Sequence, residues 1–146
     1  MLSWLLIWTV LHCCNPMPVQ NEVLAGRWTG YLTQEEGGYA TKYNFEMFFT
    51  QNKGRWIGRS RVTVEELFVE MEFTAEYKDK KLTFLEYRMV DNKIRPGMEW
   101  CYKKGQLELK EGWWSGLRLE GSWQGATSFG DCIPGDVYLI KEQPRA

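Results

Sequence analysis

The stretch Leu67-Phe68-Val69-Glu70-Met71-Glu72-Phe73-Thr74-Ala75-Glu76-Tyr77 alternates with a period of two. Leu67, Val69, Met71, Phe73, Ala75 and Tyr77 fall on one face; Phe68, Glu70, Glu72, Thr74 and Glu76 fall on the other. Successive side chains of an extended chain point to opposite sides, so this pattern predicts a strand with one buried and one solvated face. The same pattern runs upstream. Tyr43, Phe45, Met47 and Phe49 share a face, opposed by Lys42, Asn44, Glu46 and Thr50.

Turn residues separate such stretches. Asn52-Lys53-Gly54 is a hairpin signal, and Lys78-Asp79-Lys80-Lys81 is a polar turn. Arg95-Pro96-Gly97, Lys104-Gly105 and Gly112 read as further breaks. Strands are predicted over 24–33, 39–51, 55–64, 67–78, 81–92, 98–103, 106–110, 117–125 and 136–142. Nothing has helical periodicity beyond one possible turn at Val64-Glu65-Glu66-Leu67. Eight or nine sequential strands joined by short hairpins imply an all-β, antiparallel up-and-down sheet. A sheet of that length must close or double over to protect its edges. The expected fold is therefore a barrel of about eight strands, with a β-sandwich as the alternative.

The chain of 146 residues is long enough for one domain with one core, and 44% of it is hydrophobic. A formal net charge of -1 gives no global basic field, so nucleic acid is not an expected partner. The only histidine, His12, lies near the amino terminus. Beyond it, Ser-His-Asp and Cys-His chemistry and His-ligated zinc are excluded. No metal or cofactor is expected.

Residues 1–20 read as a leader with a short linker, and 21–146 as the barrel domain. Leu2 to Leu11 is apolar and uncharged, too short for the roughly 20 residues that span a bilayer, and matches the centre of a secretory signal. Val10-Leu11-His12-Cys13-Cys14 resembles a bacterial lipobox, so the leader is either cleaved to free a soluble protein or lipidated at Cys13 or Cys14. Either route places the chain in the periplasm, at the outer membrane or outside the cell. Cys101 and Cys132 then sit in an oxidising compartment as one disulfide or as two buried thiols.

Leu24-Ala25-Gly26-Arg27-Trp28-Thr29-Gly30 and Leu119-Glu120-Gly121-Ser122-Trp123-Gln124-Gly125 share the pattern L-x-G-x-W-x-G. The four repeated positions all face inward. The first and last strands of a closed barrel are neighbours, so Trp28 and Trp123 are expected to meet at its base, as a ligand floor or a core plug. Gly26-x-Trp28 resembles the opening motif of the lipocalins and other calycins, and avidins open similarly. That resemblance implies Trp28 at the closed end, with Lys141 or Arg145 packed over it. A wider spread is Trp28-x-Gly30, Glu86, Trp100-Cys101-x-Lys103, Leu119-Glu120-Gly121-x-Trp123 and Cys132-x-Pro134-Gly135-x-x-x-Leu139-x-Lys141. It resembles an uncharacterised β-rich module of Bacteroidetes cell-envelope proteins. This implies location, fold and a cysteine pairing, but no reaction.

The interior candidates for a ligand site are Trp28, Phe45, Met47, Phe49, Trp56, Met71, Phe73 and Trp123. Glu86 is the polar anchor, because Leu82 and Phe84 put it on the inward face. A buried carboxylate needs a partner, and Arg59, Arg61 and Arg88 are the candidates. Alternatively, Glu86 is a structural ion pair or points outward. Trp113-Trp114, with Trp56, Trp100 and Tyr102, is either an exposed aromatic platform or rim packing. The leading expectation is a binding module for a small apolar or amphipathic molecule. A solid barrel meeting a protein or glycan through surface aromatics comes second, and a two-carboxylate hydrolase last.

Overall fold

The computed structural model describes residues 23–114 and 116–143. They form nine strands and no helix: β1 (Gly26–Thr33), β2 (Lys42–Asn52), β3 (Arg55–Val64), β4 (Leu67–Lys78), β5 (Lys81–Lys93), β6 (Tyr102–Gly112), β7 (Gly116–Thr127), β8 (Gly130–Asp131) and β9 (Gly135–Lys141). The order β6-β5-β4-β3-β2-β1-β9-β7-β8, with β6 also paired to β7, is a closed antiparallel barrel of eight long strands. The two residues of β8 add only a flap on the end of β7. Closure rules out the sandwich, and the barrel is consistent with the lipocalin-like architecture.

Alternation sets the inside. Tyr43, Phe45, Met47 and Phe49 of β2 are buried, as are Leu67, Val69, Met71, Phe73 and Ala75 of β4. Tight hairpins follow from local chemistry. Lys53 and Gly54 both have positive φ, at 51° and 81°, the primed turn whose twist matches the flanking strands. Val64-Glu65-Glu66-Leu67 is also a tight hairpin, with Glu65 at φ 53°, and not a helical turn.

Of the expected strand 98–103 only Tyr102 and Lys103 are strand, and they are continuous with the expected 106–110: β6 runs straight through Gly105. That glycine is not a break. A Cβ there would lie 2.6 Å from both the Phe84 ring and the Ser122 carbonyl oxygen, so the bare backbone admits an aromatic side chain from the next strand. Residues 94–101 form a connection, and Tyr39 and Ala40 also lie outside the strands.

The barrel has two unlike ends. The turns β2–β3, β4–β5 and β6–β7 lie at one end, together with the start of β1 and the finish of β9. This end is plugged. Trp28 is fully buried, its indole donates to the Leu24 carbonyl at 2.9 Å, and Lys141 Nζ lies 5.9 Å from its ring centroid. The resemblance implied this cover. Lys141 nevertheless belongs to β9 rather than following it, and Arg145 lies outside the described residues. Burial lowers the Lys141 pKa. Phe49 and Phe73 meet edge to face at 5.0 Å, and Phe73 meets Phe84 at 6.4 Å.

Trp123 is at the opposite end, so the two tryptophans do not meet. On β9, Trp28 is opposite Lys141 and Trp123 opposite Gly135. Six strand residues separate those partners, roughly 20 Å at about 3.3 Å each. The expectation failed because β1 and β7, both antiparallel to β9, run the same way, with Trp28 near the start of its strand and Trp123 towards the finish of its own.

Candidate functional site

The end that carries Trp123 is the mouth. It holds a cavity of about 280 Å³. Leu32, Val62, Met98, Trp100 and Trp123 give it apolar walls, and Lys103, Tyr43 and Gln34 give it polar groups.

Its charged base starts from an irregularity in β5. The β4–β5 register shifts between Glu72 and Phe73: Phe73 is opposite Glu86 and Glu72 opposite Arg88, so Tyr87 has no partner across the pair. This bulge re-aims the neighbouring side chains. Glu86 keeps the inward direction of Leu82 and Phe84, while Tyr87 and Arg88 after it are both exposed and both donate to Glu72, at 3.0 Å for Tyr87 Oη and 2.7 Å for Arg88 Nη2.

Glu86 is held on three sides. Ser60 Oγ donates to Oε1. The Lys103 backbone N–H donates to Oε2 at 2.8 Å, and Lys103 Nζ lies 2.9 Å from the same oxygen. The side chains of Lys103 and Glu86 are 3% and 0% exposed. The three expected arginine partners are all engaged on the outer wall: Arg61 pairs with Glu70, and Arg59 and Arg88 with Glu72. They could not reach because alternation sends them outward. Lys103 shares the inward face of β6 with Gly105, Leu107 and Leu109; reading Gly105 as a break hid that register.

The carboxylate also ends a ladder. β5 and β6 pair only from Lys81 to Leu85 on the β5 side. Beyond that, Glu86 takes the Lys103 N–H and the strands part. The connection 94–101 fills the gap and supplies Met98 and Trp100. Trp100 meets Tyr43 edge to face at 6.3 Å. Tyr43 Oη donates to Gln34 Oε1 at 2.7 Å and accepts from the Ala40 N–H at 2.9 Å, and Gln34 Nε2 donates to the Ile133 carbonyl at 3.0 Å. Burial raises the Tyr43 pKa, so its hydroxyl keeps its proton. Trp123 Nε1 donates to the Thr33 carbonyl at 2.8 Å.

A disulfide joins Cys101, at the end of the connection, to Cys132 beyond β8, with Cα atoms 6.3 Å apart. The last glycine of the second motif makes room for it: a Cβ on Gly125 would lie 2.6 Å from the Tyr102 carbonyl oxygen and 3.4 Å from Cys101 Cβ. The bond is consistent with an exported protein.

Of the residues singled out by sequence, Trp123 lines the mouth cavity and Glu86 pairs with a lysine that does. Trp28, Phe45, Phe49, Trp56 and Phe73 are buried in the main core cluster. Met71 is buried on β4 opposite Met89. The lining also includes Leu32, Tyr43, Val62, Met98, Trp100 and Lys103. The supposed platform divides: Trp56 is buried, Trp100 lies at the mouth, and Trp113 and Trp114 stand alone at the other end, each 94% exposed. Cys13 and Cys14 lie outside the described residues. Among the described residues, no group of three or more acidic, histidine or cysteine side chains is arranged to hold a metal ion. The chain matches no protein-family model, no characterised protein and no solved structure.

Proposed function

We propose that this chain is an exported cell-envelope binding module that holds one small molecule in the mouth of its barrel. The observation that carries this reading is the 280 Å³ apolar cavity set against a buried ammonium group. Small-molecule sites are concave and mostly apolar, with a few convergent polar groups. At about 280 Å³, this one suits a ligand near the small end of the usual range.

Electrostatics narrows the chemistry. Lys103 has three N–H donors, and its partners among the described residues are Glu86 and, at 3.4 Å, the Cys101 carbonyl. One donor remains for a ligand. Glu86 already balances the charge, and the rim of the mouth is acidic at Glu35, Glu36, Glu65, Glu66, Glu99 and Asp131 against Lys42, Lys93 and Arg95. An anionic ligand is repelled there. The best fit is an uncharged molecule with an apolar body and a carbonyl or hydroxyl oxygen directed at Lys103. The leader and the resemblance to envelope modules support export, and Cys13 or Cys14 would supply an optional lipid anchor. The second reading, a solid barrel used only for its surface, is weakened by the cavity.

The test uses a neutral, environment-sensitive naphthalene dye, with mass analysis of small molecules extracted from the purified protein. The native protein is expected to brighten the dye, and Val62→Phe, which fills the cavity from one wall, to abolish that response. Flat fluorescence in the parent, or equal response in Val62→Phe, would sink the proposal.

A further inference from the structure

Trp113 and Trp114 lie in the β6–β7 turn at the plugged end, stacked with ring planes 13° apart and centroids at 6.3 Å. Two indoles with 94% exposure are a large apolar surface to leave in water. They contribute nothing to the core, and the mouth site does not use them.

Their surroundings carry charge of one sign. The other two turns at that end hold Lys53 and Arg55, then Lys78, Lys80 and Lys81, all exposed. Asp79 and Glu111 are the acidic residues in the three turns, so five basic side chains face two acidic ones. Counted the same way, with the strand residue on each side of a loop, the mouth has the reverse balance, six acidic residues to the three basic Lys42, Lys93 and Arg95, in a chain whose net charge is only -1. The barrel is thus polarised along its axis. Val23, the first described residue, lies at the basic end too, its carbonyl accepting from Lys141 Nζ at 2.6 Å.

We infer that the plugged end docks on an anionic lipid bilayer, with Trp113 and Trp114 inserted at the headgroup level. Indole rings favour the membrane–water boundary, where one edge is apolar and the N–H stays hydrated. Lysine and arginine beside them are attracted to anionic headgroups over about a Debye length. Charge complementarity selects the bilayer over a neutral glycan, which would use the stacked rings but not the cations. The same polarity turns the acidic mouth away from the surface and leaves it open to solution.

The full chain is tested by co-sedimentation with vesicles of equal parts phosphatidylcholine and phosphatidylglycerol, with pure phosphatidylcholine as comparison, and by quenching of tryptophan emission by brominated acyl chains. The parent is expected to prefer the anionic vesicles by about tenfold, to lose that preference at high salt, and to be quenched. Trp113→Ser with Trp114→Ser is expected to remove the quenching and to lower partition about tenfold. Because both positions are exposed, its thermal melt should match the parent's. Lys80→Glu with Lys81→Glu should erase the preference for anionic lipid. Equal partition of the tryptophan double variant and the parent overturns the inference, since residues before Val23 are common to both. So does indifference to lipid charge, or a tip that holds a protein or glycan while ignoring vesicles.

Discussion

At the scale of single residues, the buried Glu86–Lys103 pair sets the character of the mouth. Two charges out of water are tolerated because each has fixed partners; removing one leaves the other uncompensated. Glu86→Gln is expected to destabilise by about 3 to 5 kcal/mol, whereas Glu86→Leu combined with Lys103→Met should recover most of that loss. Chemical denaturation of the two variants decides it: a single variant as stable as the parent would show that the carboxylate is not needed to balance the ammonium. Half of this pair was legible in the sequence. Glu86 follows Leu82 and Phe84 at every second place, and its inward direction could be read directly. Lys103 could have been found by carrying the alternation from Leu109 and Leu107 back through Gly105. The misleading signal was the glycine, which reads as a break by composition and acts as a slot for Phe84.

At the scale of elements, the outer wall shows what the β5 bulge does. Glu72 of β4 receives Arg88 and Tyr87 from β5, with Arg59 of β3 at 4.0 Å. Hydrogen bonding from Arg88, then Tyr87, holds the Glu72 carboxyl below its ordinary range. A carboxyl whose folded pKa is depressed stabilises the fold above its unfolded pKa, and loses that contribution as pH falls through the folded value. The group is solvent-facing, so the effect is small. Glu72→Gln should lower the melting temperature slightly at neutral pH, and its difference from the parent should vanish in strong acid. A difference that persists unchanged in acid would assign the cross-strand contact to packing rather than charge. Most strands were legible because hairpin barrels write their inside as every other residue. The bulge was not, because a skipped residue leaves the local alternation intact on both sides. The connection 94–101 was not legible either: it has no period, and its Met98 and Trp100 acquire a role only where β5 and β6 separate.

At the scale of the whole molecule, the barrel is solid at one end and hollow at the other. The plug explains why Trp28, Phe49 and Phe73 could be assigned to the interior from sequence and still lie away from the cavity: alternation gives the face of a residue, not its height along the axis. The disulfide belongs to the hollow end, where the ladder is broken and the connecting segments have fewest strand hydrogen bonds. It spans 31 residues, so reduction is expected to cost about 3 to 4 kcal/mol in the chain-entropy account. Denaturant melts with and without reductant measure this, together with thiol labelling of the native protein. Ready labelling of both cysteines before any reductant is added would refute the bond.

The position of β9 has a consequence for how the chain is made. This strand, Gly135–Lys141, is inserted between β1, formed from the first described residues, and β7. Until it emerges from a ribosome, the ring is one stave short, and two long edges lack hydrogen-bonding partners. Such edges invite pairing with other chains. The waiting form is therefore the one most in need of a chaperone's protection, and assembly of the cylinder is completed only by the last of its strands in chain order.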